Sequence, residues 1–426
     1  MTFEQDLDQV QTRWKEAFSQ HKALGKAAAS AVTRWEWTSD ERYSLLPFHF
    51  QRYPGRGRVL KDPPASVDSY IRYGFDEQDR VRLHRHHYYL GLHGDRILAR
   101  HRQRDFRVDD DVSETFYLYH DTLVETIQFS IRPNILLPRI PLKVEAIHYK
   151  DGRVARYARF RLNGYTPLYS KKARDPDQLY QWLGPNGRFK WAEQYVYDGD
   201  RLTSILLYGE QSGAGPFQAE ERLTYDEAGK LLRIERFYQG GRSQLVYQKR
   251  KRGQTFKSIR EAATKKMIAA IIDRLRAENI QETLCCIELS YQAVSDHFPP
   301  HLILGLTRDR QRLLDSGDPD ARYHVFAPAL MGAMHFLSIS DPDTLEICSQ
   351  LEQEIQAGSK WDTATEILRD VAAALTRHDW TGVLNVTPDF VVFAIDWEME
   401  GDDLERVLGA SASRDQLAEW KQKGWL

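Results

Sequence analysis

The sequence predicts an α+β protein: an N-terminal helix, a large antiparallel β-sheet domain built of hairpins, and a smaller α/β C-terminal domain. Three observations carry this. Residues from about 35 to 247 are rich in aromatic and β-branched types and are broken by short Asp/Gly turns. Residues beyond 256 alternate helical and strand patterns. Charge also changes sign along the chain. Lys and Arg exceed Asp and Glu by about 11 over residues 1–260 and fall short by about 13 over 261–426, together giving the net −2. The change falls at Gln248-Lys249-Arg250-Lys251-Arg252-Gly253. The expected divisions are therefore 1–34, 35–255 and 256–426.

In the first segment Phe3, Leu7, Val10, Trp14 and Phe18 recur at helical spacing, and Thr2 with Gln5 fits a capping box. Gly25 is the expected break between two helices. In the second segment Tyr149-Lys150-Asp151-Gly152-Arg153-Val154 and Tyr197-Asp198-Gly199-Asp200-Arg201-Leu202 each place Asp-Gly between alternating strands. A type I′ turn needs positive φ at both central residues, and glycine takes it without a Cβ clash. Tyr225-Asp226-Glu227-Ala228-Gly229-Lys230-Leu231 uses a longer loop with Gly229 left-handed, and Tyr73 to Val81 and His93 to Leu98 are weaker relatives. In the third segment Ala263–Ile280, Asp343–Ile355, Trp361–Leu375 and Ser413–Lys421 read as helices. Leu284–Leu289 and Leu302–Leu306 read as buried strands. Phe390-Val391-Val392-Phe393-Ala394-Ile395 is apolar on both faces, which predicts a central strand.

The hairpin units, an aromatic residue, Asp, a Gly within four residues, then an outgoing strand, resemble the YD repeats of the Rhs family. More loosely they resemble the β-meander repeats of some bacterial antitoxins. That resemblance implies hairpin elements joined edge to edge in one long sheet. The ending, Asp389 to Glu398 followed by a short helix and Gly424-Trp425-Leu426, resembles uncharacterised bacterial domains, several of them immunity-like. It contains no catalytic motif.

Composition excludes several classes. The chain of 426 residues is 42% hydrophobic and 28% charged, so it is long enough for two or three domains with full cores. No run approaches the ~18 apolar residues of a membrane span, so no membrane partner is expected. The acidic start, Met1-Thr2-Phe3-Glu4-Gln5-Asp6, does not read as a signal peptide. Three cysteines, two of them the adjacent Cys285 and Cys286, make no disulfide framework, and a cytoplasmic location is the expectation.

Three constellations are candidates for chemistry. His84 and His86 lie two apart on a strand and so share a face, where they and a carboxylate from Asp109, Asp110 or Asp111 would suit zinc or iron. Arg82, Arg85, Arg96, Arg100, Arg102 and Arg104 are interleaved with the histidine run that continues to His87, His93 and His101. Their charge repels a dication and argues for a solvated basic face. Asp396, Glu398 and Glu400 alternate onto one strand face, and Asp402 and Asp403 extend it into an acidic surface for a basic partner. The Lys that a restriction-type nuclease carries after such acids is absent. Lys249, Arg250, Lys251 and Arg252 form a basic junction able to track phosphates, though with Tyr247 and Phe256 alone as aromatic neighbours. No phosphate loop, dinucleotide fingerprint, HExxH or nucleophile elbow is present, so no cofactor and no catalytic residue is expected. The reading that follows is a non-enzymatic protein-binding protein, of the immunity or antitoxin kind that the resemblance implies, meeting a basic toxin through the acidic face. Two alternatives stand: a metal-dependent hydrolase at His84 and His86, and nucleic-acid binding through the basic junction.

Overall fold

The computed structural model describes residues 2–61, 69–88, 111–130, 139–162, 175–183, 187–211, 215–292, 296–317, 321–331, 335–358, 360–396 and 404–426. It is a mixed α+β structure that divides into two compact units, Met1–Val246 and Tyr247–Leu426. The helices of residues 3–31 belong to the first unit. Among the described residues no helix is long and apolar enough to cross a membrane.

The first unit opens with α1 (Phe3–Ala17) and α2 (His21–Ala31). Thr2 and Gln5 form the capping box: the Gln5 N–H donates to Thr2 Oγ1 at 3.4 Å and the Thr2 N–H to Gln5 Oε1 at 2.8 Å. The break between helices falls at Phe18–Gln20, where Phe18 packs edge-on against Trp14 at 5.0 Å, and Gly25 is carried inside α2. This corrects the expected break at Gly25.

Thirteen strands then form one sheet. They are β1 (Arg34–Thr38), β2 (Val59–Leu60), β3 (Ser69–Phe75), β4 (Val81–Tyr88), β5 (Asp111–Tyr119), β6 (Leu123–Ser130), β7 (Pro141–Lys150), β8 (Arg153–Leu162), β9 (Arg188–Asp198), β10 (Arg201–Gln211), β11 (Gly215–Tyr225), β12 (Leu231–Tyr238) and β13 (Ser243–Gln248). From β3 to β13 spatial order follows sequence order, and β1 lies beside β3 with β2 outside it. The connection from β1 to β2 carries the one-turn helix α3 (His49–Arg52), and α4 (Pro176–Leu183) lies between β8 and β9.

Directly opposed residues share a face, so register assigns the two sides. Leu83, Phe116, Ile127, Val144 and Phe160 form one row across β4 to β8. Helix α1 closes that row with Leu7, Val10 and the fully buried Trp14, whose ring lies 5.1 Å from that of Phe160. Trp14 also donates its indole N–H to the Pro141 carbonyl at 2.7 Å, so its polar atom is satisfied inside the core.

The hairpins interlock at their turns. Tyr119, Tyr197 and Tyr225 donate their hydroxyls to the carbonyls of Val81, Val154 and Leu202 on the neighbouring strand. In each case the arginine preceding that carbonyl residue, Arg80, Arg153 or Arg201, lies 4.9, 5.6 or 5.3 Å over the same tyrosine ring. Asp151 and Gly152 both take positive φ, as a two-residue type I′ turn requires. At the next hairpin Arg201 pairs with Asp198, so the turn residues are Gly199 and Asp200 and not the expected Asp198-Gly199. Gly199 alone takes positive φ there.

The second unit holds a four-stranded sheet of order β16-β15-β14-β17, made of β14 (Thr283–Gln292), β15 (Asp296–Leu306), β16 (His335–Leu337) and β17 (Asn385–Asp396). Its helices are α5 (Phe256–Glu278), α6 (Thr307–Asp315), α7 (Pro328–Met331), α8 (Pro342–Gly358), α9 (Trp361–Thr376), α10 (Leu404–Gly409) and α11 (Arg414–Gln422). Met267, Ile271, Leu351, Ile355, Ile367 and Val371 pack from α5, α8 and α9 against Ile287, Leu289 and Val392. Cys285, Cys286, Val391 and Phe393 face the other way, against Phe326, Leu408 and Trp420. β17 is therefore apolar on both faces yet stands at the sheet edge, which corrects the expected central strand. Its outer side is occupied by side chains: the Val392 N–H donates to Thr376 Oγ1 at 2.9 Å, and Gln416 Nε2 donates to the Phe390 carbonyl at 3.4 Å.

Candidate functional site

The face of the large sheet opposite α1 carries charged and aromatic side chains in register. One row runs Tyr73, His84, Thr115, Gln128, Lys143, Arg161 and Phe189 from β3 to β9. The next runs Tyr117, Thr126, Glu145, Arg159, Trp191, Gly209 and Phe217 from β5 to β11. Two further rows add Tyr157 and Glu193, then Tyr195, Glu221 and Arg236. The connection between β1 and β2 lies over this face, touching β3 where the Tyr43 and Tyr73 rings meet at 5.0 Å.

At one end that connection is pinned by Arg52, whose side chain is fully buried. Its two Nη atoms donate to the two oxygens of Glu193, each at 2.8 Å, and its Nε donates to Glu221 at 2.6 Å. Trp191 Nε1 at 2.7 Å and the Tyr195 hydroxyl complete Glu193, and Arg236 takes the remaining Glu221 oxygen at 2.5 Å. Burial pushes the Glu193 carboxyl up, but Arg52 and these hydrogen bonds outweigh it and hold the pKa below the ordinary carboxylate value. Every carboxylate oxygen here has a donor, the condition under which buried charges are tolerated.

On β7 and β8, beside the strand of Glu193, the balance differs. Glu145 accepts from Thr126 Oγ1 at 2.5 Å and from the Tyr157 hydroxyl at 2.7 Å, and pairs with Lys143 Nζ at 3.1 Å. Burial raises its pKa, but Lys143, Arg159 and the two hydroxyls pull it down to about 2. Glu145 is thus turned to other partners, and the guanidinium of Arg159 across the strand pair makes no hydrogen bond or ion pair among the described residues. Its Nε is buried without an acceptor. An unsatisfied buried donor costs roughly 1–3 kcal/mol, more when charged. The guanidinium lies 5.0 Å over the Phe189 ring, which stacks on Trp191 at 6.0 Å, and Trp191 meets Phe217 at 5.3 Å. Thr115, also on this face and 1% exposed, has a hydroxyl without a partner.

The residues expected from sequence are placed as follows. His84 and His86 both lie on this face, opposite Thr115 and Ser113. His84 Nδ1 is 3.0 Å from the Tyr117 hydroxyl, and burial with the nearby Lys143 charge lowers its pKa to about 4, so the ring is neutral at pH 7. His93, His101, Asp109 and Asp110 lie outside the described residues, and within them no three His, Cys, Asp or Glu side chains gather to hold a metal. Asp396 ends β17 in the second unit, while Glu398, Glu400, Asp402 and Asp403 lie outside the described residues. Of the basic junction, Arg250 pairs through its guanidinium with Glu354 on α8, and Lys251 and Arg252 are exposed. Gln254 exchanges hydrogen bonds with Gln350 at 3.2 and 3.1 Å on the same helix. The junction thus includes a strut along α8.

Sequence reasoning passed over Arg52, Glu145, Arg159, Glu193 and Glu221. Arg52 is 141 and 169 residues from its two acids, beyond any local pattern. The available signal was charge at inward strand positions, as where Glu193 follows the buried Trp191 and Ala192 and precedes the buried Tyr195. No protein-family model matches this chain, and no curated protein sequence matches it either.

Proposed function

We propose that the chain is a non-enzymatic binding protein whose recognition surface is the face around Arg159, Lys143 and Phe189. The observation that carries this is a half-buried arginine whose Nε is out of water without an acceptor, set against an aromatic strip. The titratable neighbours support binding over catalysis. Acid–base work favours a pKa near the operating pH, and here His84 falls to about 4 and Glu145 to about 2. Of the five acids expected to meet a basic toxin, Asp396 alone is among the described residues, so the proposal rests on the sheet face instead. A protein partner of the toxin kind remains the concrete form suggested by the sequence resemblance.

The test is capture from native lysate after nuclease treatment, comparing the parent with Phe189→Ser. The expected result is one protein retained in stoichiometric amount by the parent and lost by the variant. Equal retention by both, or recovery of nucleic acid alone from an untreated lysate, overturns the reading.

A further inference from the structure

We infer that Arg159 is an oxyanion receptor: it takes a single carboxylate or phosphate group carried on an apolar or aromatic body that lies along Phe189 and Phe217. The inference rests on the binding role proposed for this face and names what is bound.

Among the cations of this face, Arg52 and Arg236 are committed to Glu193 and Glu221, and Lys143 to Glu145. Arg159 has no committed partner, and its Nε is already out of water. A guanidinium presents parallel N–H donors matched to two oxygens of a carboxylate or phosphate, so an oxyanion satisfies it where a neutral carbonyl serves only one donor. Lys143 adds a second positive charge in the neighbouring row and keeps 23% of its side chain exposed, so it can follow an arriving anion. The aromatic strip fixes the rest of the ligand. Phe189 already lies beneath the guanidinium, and Phe217 sits over Gly209, where a Cβ would come within 2.2 Å of its ring. That glycine lets the phenyl ring sit beside Trp191, tilted at 52° to it, and extends the apolar strip away from the charge. One unpaired cation suits one oxyanion. A nucleic-acid backbone is held by a track of cations that neutralise several phosphates, whereas Arg52, Arg236 and Lys143 are already paired with acids of this face.

The probes are phenyl phosphate and benzoate, with benzyl alcohol as the uncharged control, titrated calorimetrically into the parent, Arg159→Gln and Arg159→Lys. The expected result is saturable binding of one or both acids by the parent, weakened at least tenfold in Arg159→Gln and less in Arg159→Lys, with no comparable binding of the alcohol. Preference between the acids identifies the group as phosphate or carboxylate. Without ligand, Arg159→Gln should shift the melting midpoint little, since it removes a buried Nε that nothing satisfies at the cost of the guanidinium's longer-range attraction to Glu145. Three results overturn the inference: no saturable binding of either acid, equal binding by Arg159→Gln, or a large drop in its melting midpoint, which makes the guanidinium structural. If the acids bind Arg159→Gln as well as parent while Phe189→Ser still loses its protein partner, the oxyanion receptor fails and the binding face stands. If Phe189→Ser keeps that partner while the acids require Arg159, the reverse holds.

Discussion

Arg52 and Arg159 sit on the same face of one sheet and share a physical problem, guanidinium nitrogen withdrawn from water: the whole side chain at Arg52, the Nε at Arg159. Around Arg52 the sheet supplies two carboxylates, and those carboxylates are completed by Trp191, Tyr195 and Arg236. Around Arg159 the carboxylate directly across the strand pair, Glu145, has been given to Lys143, Thr126 and Tyr157. The first arrangement is finished and holds the β1–β2 connection in place; the second is finished only when something else arrives. The difference teaches that burial of charge does not by itself mark a site. What marks it is whether the partners are already present.

The comparison can be broken most directly by exchanging each arginine for methionine. Arg52→Met leaves Glu193 and Glu221 buried without their cation and should cost about 3–5 kcal/mol in urea unfolding. Arg159→Met should cost far less, about 1 kcal/mol, because relief of the unsatisfied Nε offsets the lost attraction to Glu145. Similar losses at both positions would erase the distinction between the two arginines.

Acid titration sharpens it at the open end. His84 holds its pKa near 4 in the fold against an ordinary 6.5, so between those values the unfolded chain takes up a proton that the native state refuses. Stability should fall as pH drops from 6.5 to 4, by about 3 kcal/mol at most. Glu145, depressed to about 2 from 4.5, contributes stability that is present above pH 4.5 and is lost as pH falls toward 2, again about 3 kcal/mol. His84→Gln should flatten the upper limb of the stability profile and Glu145→Gln the lower.

Smaller effects follow at the margins. Gly209→Ala should cost about 1–3 kcal/mol by driving the Phe217 ring from its seat, read by denaturation and by a change in Trp191 fluorescence. Tyr197→Phe removes the hydroxyl that bonds the Val154 carbonyl at 3.0 Å and should cost about 1 kcal/mol. Arg250→Ala, in the second unit, breaks a pair that is 43% exposed on the arginine side and should change stability by under about 1 kcal/mol. A larger loss there would place structural weight on a surface pair that the comparison assigns to buried ones.

What the sequence made legible was local. The Asp151-Gly152 turn, the left-handed Gly229 and the Thr2 capping box each depend on residues within a few positions, and each took the expected conformation. The turn at Gly199 moved by one residue because strand register, set by Tyr197 against Leu202, decides which pair closes the hairpin. β17 misled through its composition, since apolar faces report layers above and below and are silent about the hydrogen-bonding edge. His84 and His86 lie on one face as expected, but the side chains that decide the chemistry of that face come from the strands β5 to β12 and from α3. Their meeting depends on register accumulated across the whole sheet, which no short window contains.

From β3 to β13, each strand lies beside the one before it in the chain. Such a meander has a nearly one-dimensional energy: each hairpin is stabilised mainly by its neighbours, so structure can nucleate at any turn and spread both ways like a zipper. Left to that geometry, fraying would begin at an outer strand and stop wherever the next contact held. Arg52 changes the problem, because it joins the start of the sheet to β9 and β11 and so skips over the strands between. A single side chain thereby closes a linear array into a circuit, and the intervening strands should exchange their amide hydrogens as one cooperative block and not hairpin by hairpin.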